Sequence, residues 1–242
     1  EDVKVFWENI LSRSTDFNTE ASWLKELRTG YCKNATPVHT DLQRQHFDQF
    51  VGNLKDNNSP GLDLIVGYWP KHCHSLHSAK FNLYSKISRG ELELPQWLTK
   101  ARTTLIPKNN ETKIAKNYRP IACENIMLKI YTGCIALLIE EHCIKNNIIS
   151  PEQAGARKGM WGCVDQLLIN KVISEEVQKH RRNLFTIWLD YKKAYDSLPH
   201  SWIIESLHLA KLPNHLINAI AQLISQWSTE MTLPTEDKNI LV

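Results

Sequence analysis

The strongest constraint on the fold is an apolar run that ends on a carboxylate, in the segment FTIWLDYKKAYDSLPHSWI (185–203). Residues 184–189 are rich in apolar and β-branched side chains, a pattern that predicts a buried β-strand. Such a strand would carry Asp190 out of the core, and Lys192 and Lys193 follow closely. A carboxylate at a rigid strand end with cationic side chains close by in sequence is typical of a site that binds a metal ion and phosphate. The alternative is an acid that simply meets water where the strand turns.

Composition and charge fit an ordinary globular protein and add one clue. The chain has 242 residues, of which 42% are hydrophobic and 23% charged, so it can bury a sizeable core. The formal net charge of +3 is too small to indicate nucleic-acid binding by itself. Residues 100–119, however, hold six Lys or Arg side chains and one acid, Glu111. Such a basic stretch attracts polyanions.

Cysteine usage and hydropathy bear on the compartment. The six cysteines show no C-x-x-C spacing, which favours free thiols in a reducing compartment. No apolar run approaches the roughly 20 residues of a membrane span. We therefore expect a nuclear or cytoplasmic protein with no membrane partner.

Apolar periodicity predicts a mostly helical chain with few strands, an α+β fold. We expect helices within residues 1–28, 41–54, 66–89, 125–147, 163–178, 201–212 and 214–227, and strands at 101–108 and 184–189. Gly90 is expected to end one helix, and Ser201 to cap the start of another. In the helix at 163–178 four apolar side chains are expected to face inward, namely Val164, Leu167, Leu168 and Val172.

Five segments occur in the order and rough spacing of one known family. They are SPGLDLI (59–65), WLTKARTTLIPK (97–108), NYRPIACENIMLKI (117–130), EQAGARKGMWGCVDQLL (152–168) and LDYKKAYDSLPHSWI (189–203). The last resembles the first catalytic-aspartate motif, an apolar strand followed by D-x-x-K-A-[FY]-D, of the reverse transcriptases of non-LTR retrotransposons. One such motif would be weak, but five in order make the resemblance specific.

The resemblance implies a right-hand polymerase fold with antiparallel strands. Residues 1–58 would form an N-terminal helical extension, 59–183 the fingers, and 184–242 a partial palm that carries the first catalytic-aspartate motif. The thumb and the rest of the palm would be absent from these 242 residues.

The resemblance assigns roles around the predicted strand. Asp190 matches the catalytic, metal-binding aspartate of the palm, and the backbone carbonyl of Tyr191 could add a second oxygen ligand. Tyr195 matches the aromatic residue that closes the sugar pocket against a 2′-hydroxyl; plain packing is the alternative. Asp196 matches the second acid of the motif, which we interpret as structural.

Two basic residues match the fingers positions that grip an incoming triphosphate, Lys108 and Arg119. Their chemistry suits the role, because arginine offers a bidentate fork to phosphate and lysine a point charge. The alternative is an exposed basic loop.

A third element of the resemblance lies near the templating base and primer. Gln153, Gly155 and Arg157 match it. The family's usual Phe is Ala156 here, and its Ser-Thr pair is Trp161-Gly162, so the detail of this element departs from the family pattern.

One expected element is missing from the sequence. The family's palm carries a paired aspartate, Ala-Asp-Asp after an apolar residue, preceded by Q-G-x-x-x-S-P, and neither occurs in these residues. PTEDKN (234–239) is a poor substitute, since we expect a polar turn without an apolar strand on either side. We therefore expect the chain alone not to polymerise nucleotides.

The intact family member would synthesise DNA on an RNA template. The resemblance implies Mg²⁺ (or Mn²⁺ in its place) as cofactor. It implies an RNA template, a DNA primer or target, dNTPs and the remainder of a parent polyprotein as partners. Two alternatives stay open: an RNA- or DNA-binding remnant without catalysis, and a decayed, truncated reading frame whose product exposes apolar surface. A zinc site at HCHSLH (72–77) is disfavoured by its tight spacing, and KHRRN (179–183) is interpreted as a solvated turn.

Overall fold

The computed structural model describes residues 3–12, 15–108, 114–155, 161–191, 194–195, 197–232 and 239–241. Helices within these ranges are α1 (Val3–Leu11), α2 (Ser22–Gly30), α3 (Arg44–Gly52), α4 (Tyr68–His72), α5 (His77–Ser88), α6 (Gln96–Thr99), α7 (Ile126–Lys145), α8 (Cys163–Lys179), α9 (His200–Leu209) and α10 (Asn214–Ser225). Single 3₁₀ turns occur at His74–Leu76 and Ala115–Asn117. The strands are β1 (Lys100–Pro107), β2 (Tyr118–Cys123), β3 (Ser228–Thr232) and β4 (Asn239–Leu241). The prediction of a mostly helical chain with few strands is confirmed.

The strands form one mixed sheet in the order β2-β1-β3-β4. β1 pairs with β2, and β3 with β4, in antiparallel fashion. The expected antiparallel pairing is confirmed for these two pairs, whereas β1 and β3 run parallel, which was not expected. Antiparallel neighbours need only a short connection, whereas α7 to α10 separate β1 from β3 and let the chain return in the same direction.

The tail of the sheet also corrects an expectation about residues 234–239. Strands β3 and β4 lie on both sides of 233–238 and pair with each other, although no strand was expected there. Strand β3 was not predictable from its sequence STEMT, because four of its five residues are polar and only Met231 is buried. The acids Glu236 and Asp237 lie outside the described residues.

Helix α7 forms the centre of the main core. Its predicted apolar face is largely confirmed, since Ile126, Ile130, Cys134 and Leu138 are buried. Leu137 instead lines a groove on the helix surface. Helices α3, α5 and α10 pack around α7 in the same apolar cluster. Each fully buried aliphatic side chain contributes about 1.5–3 kcal/mol, so α7 is the element on which the others are assembled.

Two helix-end predictions have different outcomes. Gly90 follows α5 with φ +74°, a left-handed conformation that suits glycine after a helix. Ser201 does not cap α9, because Pro199 occupies the N-cap position. The fixed φ of Pro199 suits a position at the start of a helix. The Ser201 hydroxyl instead accepts the backbone N–H of Phe17 at 3.4 Å.

The N-terminal helices contact both the sheet and the C-terminal helices. Trp7 of α1 is buried in a small cluster with Leu105, Tyr118 and Met231. Arg28 of α2 forms an ion pair with Glu205 of α9 at 2.7 Å. Helices α1 and α2 therefore pack against the sheet and α9, respectively.

Glu141 of α7 ties the loop before α3 to the core. One carboxylate oxygen accepts from the Nε2 atoms of His39 and His46, at 3.2 and 3.0 Å, and the other pairs with Lys145 at 2.7 Å. These partners, Lys145 foremost, lower the pKa of Glu141 to about 2. The carboxylate is therefore ionised throughout the neutral and mildly acidic range.

We expect Glu141→Gln to lower the Tm at pH 7 by a few degrees, about the size of ~1 kcal/mol in a chain of this length. A folded pKa below the unfolded value of about 4.5 stabilises the fold above pH 4.5. The contribution is lost as pH falls toward 2, so the Tm difference should shrink below about pH 5. Thermal unfolding at several pH values measures this, with exposed Glu175→Gln as the control. An equal Tm difference at pH 7 and at pH 4 would contradict it.

The predicted strand at 184–189 is wrong. These residues are irregular, and Phe185, Ile187 and Leu189 are 91%, 83% and 85% exposed. A strand must pair its backbone N–H and C=O groups with a neighbour, and within the described ranges none of the four strands pairs with this segment. Apolar composition alone therefore did not produce a strand.

Helix α8 forms as predicted, but its inward face is wrong. Val164, Leu167, Leu168 and Val172 are all exposed, and no residue of the helix is buried. Helical periodicity identifies an apolar face without specifying what covers it. The helix and residues 184–189 each expose several large apolar side chains.

Candidate nucleotide and nucleic-acid interface

The β1–β2 hairpin has one closed face and one open face. Leu105 and Tyr118 are buried on the closed face, beneath helix α1. Because side chains alternate along a strand, Ile106 and its pairing partner Arg119 project from the opposite face. Both are exposed. We call this second surface the open face of the sheet.

Lys108 and Arg119 are brought together on the open face. Lys108 comes two residues after Ile106, and its backbone N–H donates to the Asn117 carbonyl at 2.7 Å, which continues the pairing past the end of β1. Diagonal neighbours of this kind lie roughly 7 Å apart. The Lys108 ammonium donates to the Lys116 carbonyl at 3.3 Å, and Arg119 makes no ion pair with any described residue. Two cations are thus available to one anionic ligand.

Arg102 occupies the other end of the open face and was not predicted as a site residue. Its register places it opposite Glu230 of β3, which forms an ion pair with Lys100. Its Nη2 atom donates to the Pro60 carbonyl at 3.2 Å. Arg102 therefore fastens the SPGLDLI segment to the sheet. The basic stretch 100–119 was the signal that could have identified it.

Asn125 joins three of the predicted motifs and was also missed. Its buried Nδ2 donates to the Trp97 carbonyl at 2.8 Å, and its Oδ1 accepts the backbone N–H of Asp63 at 3.2 Å. Gly61 packs so closely that an added Cβ would lie 2.5 Å from Asn125 N and Oδ1. Burial raises the pKa of the adjacent Glu124. A polar residue directly before the apolar helix α7 was the available sequence signal.

The remaining predicted palm residues lie apart from this hairpin. Asp190, Tyr191 and Tyr195 lie on the irregular, exposed segment, with the two tyrosines 78% and 91% exposed. Asp190 makes no hydrogen bond or ion pair with another described residue. Asp196 lies outside the described residues, as do the two lysines that follow Asp190. No described contact joins Asp190 to Lys108 or Arg119.

Gln153 and Gly155 lie at a groove beside α7. The groove has a volume of about 1190 Å³, and the side chain of Gln153 donates to the Gly155 carbonyl at 3.4 Å. Its apolar lining includes Phe50 and Leu137, with Lys55 among the polar residues around it. Arg157, the third residue of this predicted element, lies outside the described residues.

The histidines of HCHSLH contact different partners. His77 is buried and its Nε2 donates to the Pro70 carbonyl at 2.9 Å, whereas His72 lies 3.5 Å from an Asp56 carboxylate oxygen. The two histidines therefore anchor the turn between α4 and α5.

A family model for reverse transcriptase (RNA-dependent DNA polymerase) matches residues 106–238, more than half of the chain. The chain belongs to the reverse transcriptase family. The match begins within the β1–β2 hairpin and includes Lys108, Arg119 and Asp190. The resemblance carried by the five motifs is therefore confirmed at the level of the family.

Curated relatives of this reverse transcriptase include Pol polyproteins of retrotransposable elements. The chain is 26% identical over 166 residues to the Pol polyprotein of the type-2 retrotransposable element R2DM of Drosophila melanogaster, covering 68% of this chain and 15% of the relative. It is 29% identical over 147 residues to a type-1 R2 Pol polyprotein of Popillia japonica, covering 59% and 19%. It is 23% identical over 175 residues to the transposon TX1 uncharacterized 149 kDa protein of Xenopus laevis, covering 70% and 13%. The chain spans less than a fifth of the length of these relatives.

The reverse transcriptase's implied metal fits the described residues only in part. Asp190 offers the hard oxygen ligand that Mg²⁺ prefers. In the part of the chain that the structure describes, however, no three His, Cys, Asp or Glu side chains group closely enough to hold a metal ion. None of the described helices is long and apolar enough to cross a bilayer.

Proposed function

We propose that this chain is part of an RNA-directed DNA polymerase of a non-LTR retrotransposon, in which Lys108 and Arg119 hold the triphosphate of an incoming dNTP. The observation that carries the proposal is the hairpin register, which supports both cations side by side on the open face. Phosphate oxygens suit exposed Lys and Arg donors, since charge-assisted hydrogen bonds are about twice as strong as neutral ones. The family match supports the same reading.

The remaining site roles belong to the palm part of the proposal. Asp190 and the Tyr191 carbonyl would supply part of the ligand set for divalent Mg²⁺ or Mn²⁺. A pair of such ions, when bound, neutralises charge on the transferring phosphoryl group. Tyr195 would close the sugar pocket and Asp196 would hold the loop. Because the second aspartate pair is missing from these 242 residues, we propose that they do not polymerise nucleotides by themselves.

The domain roles and partners extend this proposal. Residues 59–183 would serve as fingers and 184–242 as partial palm of a right-hand polymerase, with 1–58 bracing both. Gln153, Gly155 and Arg157 would lie near the template and primer; the groove beside the first two supports this. Partners would be an RNA template, a DNA primer or target, dNTPs and the remainder of a longer polyprotein. That remainder would cover the exposed apolar surface of α8 and 184–189, in a nuclear or cytoplasmic protein.

Nucleic-acid binding without catalysis is the second candidate. The observation that favours it is that Lys108 and Arg119 lie on one face of the hairpin, whereas no three His, Cys, Asp or Glu side chains of the described residues group together at Asp190. A decayed reading frame differs again, because its product would be aggregation-prone through the apolar surface of α8. RNA affinity that falls steeply with salt supports either of the first two functions over the third.

We expect the double variant Lys108→Ala/Arg119→Ala to bind a dNTP at least about a hundredfold more weakly than the parent chain. Each lost charge-assisted contact costs about 1.5–3 kcal/mol. Calorimetric titration of dCTP in Mg²⁺ buffer measures the affinity. Lys86→Ala/Arg182→Ala removes the same charge from elsewhere on the surface and should change the affinity less than threefold. Equal losses in the two double variants would show that net charge, rather than the hairpin, holds the nucleotide.

A further inference from the structure

We propose that Tyr68, Trp69 and His72 form a stacking platform for the unpaired bases of single-stranded nucleic acid. The proposal rests on the proposed function, since it names a second contact surface for the template strand. Tyr68 is 47% exposed and Trp69 is 59% exposed. The rings of Tyr68 and Trp69 meet edge to face with centroids 5.5 Å apart, and the rings of Tyr68 and His72 lie 4.6 Å apart. Three adjacent aromatic rings thus remain accessible.

The backbone around the platform holds these rings outward. Gly67 precedes α4, and its N–H donates to Asn58 Oδ1 at 2.7 Å. A Cβ at Gly67 would lie 2.2 Å from the Lys55 carbonyl oxygen, so the turn is closely packed. Pro70 is buried, and its carbonyl accepts from His77. The short helix α4 is therefore anchored through Gly67 and Pro70, while Tyr68 and Trp69 keep about half of their surface exposed.

Basic side chains flank the rings and favour a polyanionic strand. Lys71 lies 3.2 Å and His72 3.5 Å from carboxylate oxygens of Asp56, so two basic groups share a single acid. These contacts, that of Lys71 first, lower the pKa of Asp56. Lys55 is exposed and makes no ion pair within the described ranges. Lys55 therefore adds, near the rings, a positive charge that forms no ion pair with a described residue, and aromatic rings beside basic side chains bind single strands through base stacking and phosphate attraction together.

The platform is connected to the open face of the sheet. The chain between them, SPGLDLI, is fastened to Arg102 through Pro60 and to Asn125 through Asp63. Arg102 shares the open face with Lys108 and Arg119. A strand whose bases stack on Tyr68 and Trp69 would therefore reach the nucleotide site along a fixed loop. Duplex ligands fit the platform poorly, because their bases are already stacked on one another.

The test is binding of a fluorescent single-stranded oligouridine RNA to the 242-residue chain. We expect Tyr68→Ala/Trp69→Ala to weaken binding about ten- to a hundredfold, since stacking contributes appreciably for each base. The slope of affinity against salt should stay unchanged, because no phosphate contact is removed. In chains that keep Tyr68, Trp69→Ala should weaken RNA binding, and Trp69→Phe should retain most of the affinity that Trp69→Ala loses. Trp227→Ala, a control with the same 47% exposure as Tyr68, should bind like the parent.

Each result separates the platform from the wider function. If the parent chain binds the RNA and the double variant binds equally tightly, the proposed stacking role of Tyr68 and Trp69 is wrong. A protein partner that contacts these rings would then be the better explanation of their exposure. If the double variant changes the salt slope instead, the contact is ionic and stacking is wrong. If the parent chain binds no RNA, both the platform and the proposed nucleic-acid function are overturned.

Discussion

Replacing Gly61 by alanine is expected to lower the free energy of unfolding by about 3 kcal/mol, at the upper end of overpacking effects. The new Cβ would lie 2.5 Å from both the backbone nitrogen and the Oδ1 atom of Asn125. Neither atom can yield easily, since Asn125 opens α7 and holds Trp97 and Asp63 through its amide. The loop 60–63 would have to lift off the core instead.

Gly52→Ala supplies the matched control for this experiment. Gly52 ends helix α3, and a Cβ there would meet nothing within 4 Å. Since alanine favours the helix by about 1 kcal/mol over glycine, we expect Gly52→Ala to leave stability unchanged or to raise it slightly. Urea unfolding of the three chains measures the difference. Equal midpoints for Gly61→Ala and the parent would contradict the close packing at Asn125.

Local rules predicted the parts of this fold that depend on neighbouring residues. The apolar face of α7 and the glycine after α5 follow from helical spacing and from a left-handed helix end, and both were found. Strand β1 was recognised by its β-branched residues and the proline that ends it. Alternation along a strand does not depend on the rest of the chain, so the hairpin register places Lys108 and Arg119, the two residues that the motifs suggested, on the same face.

Contacts between distant segments were not predictable from the sequence. Nothing local to β3 states that it will pair in parallel with β1, more than a hundred residues earlier. Arg102 and Asn125 form hydrogen bonds with backbone groups of distant segments. The residues next to Arg102 and Asn125 in the sequence do not indicate these partners. For α8 and residues 184–189, the sequence pattern identified apolar side chains but could not predict whether they are buried. Burial requires another segment to cover them, and the described residues do not cover them.

The second large effect is expected at Asp190. In a polymerase that contains this chain together with a second aspartate pair, Asp190→Ala should lower the rate of DNA synthesis by about a thousandfold, the upper range for loss of one electrostatic contributor. Asp16→Ala, which removes an exposed acid outside the five motifs, should leave the rate within about twofold. Steady-state primer extension measures both. A rate for Asp190→Ala close to that of Asp16→Ala would remove Asp190 from the catalytic site.

The most direct test of the proposed function is primer extension on an RNA template with Mg²⁺, using the 242-residue chain beside its Asp190→Ala variant. We expect that neither chain extends the primer, while both bind the template RNA with the same affinity. Extension by the parent chain that is lost with Asp190→Ala would contradict this expectation, because a complete metal site would then exist within these residues.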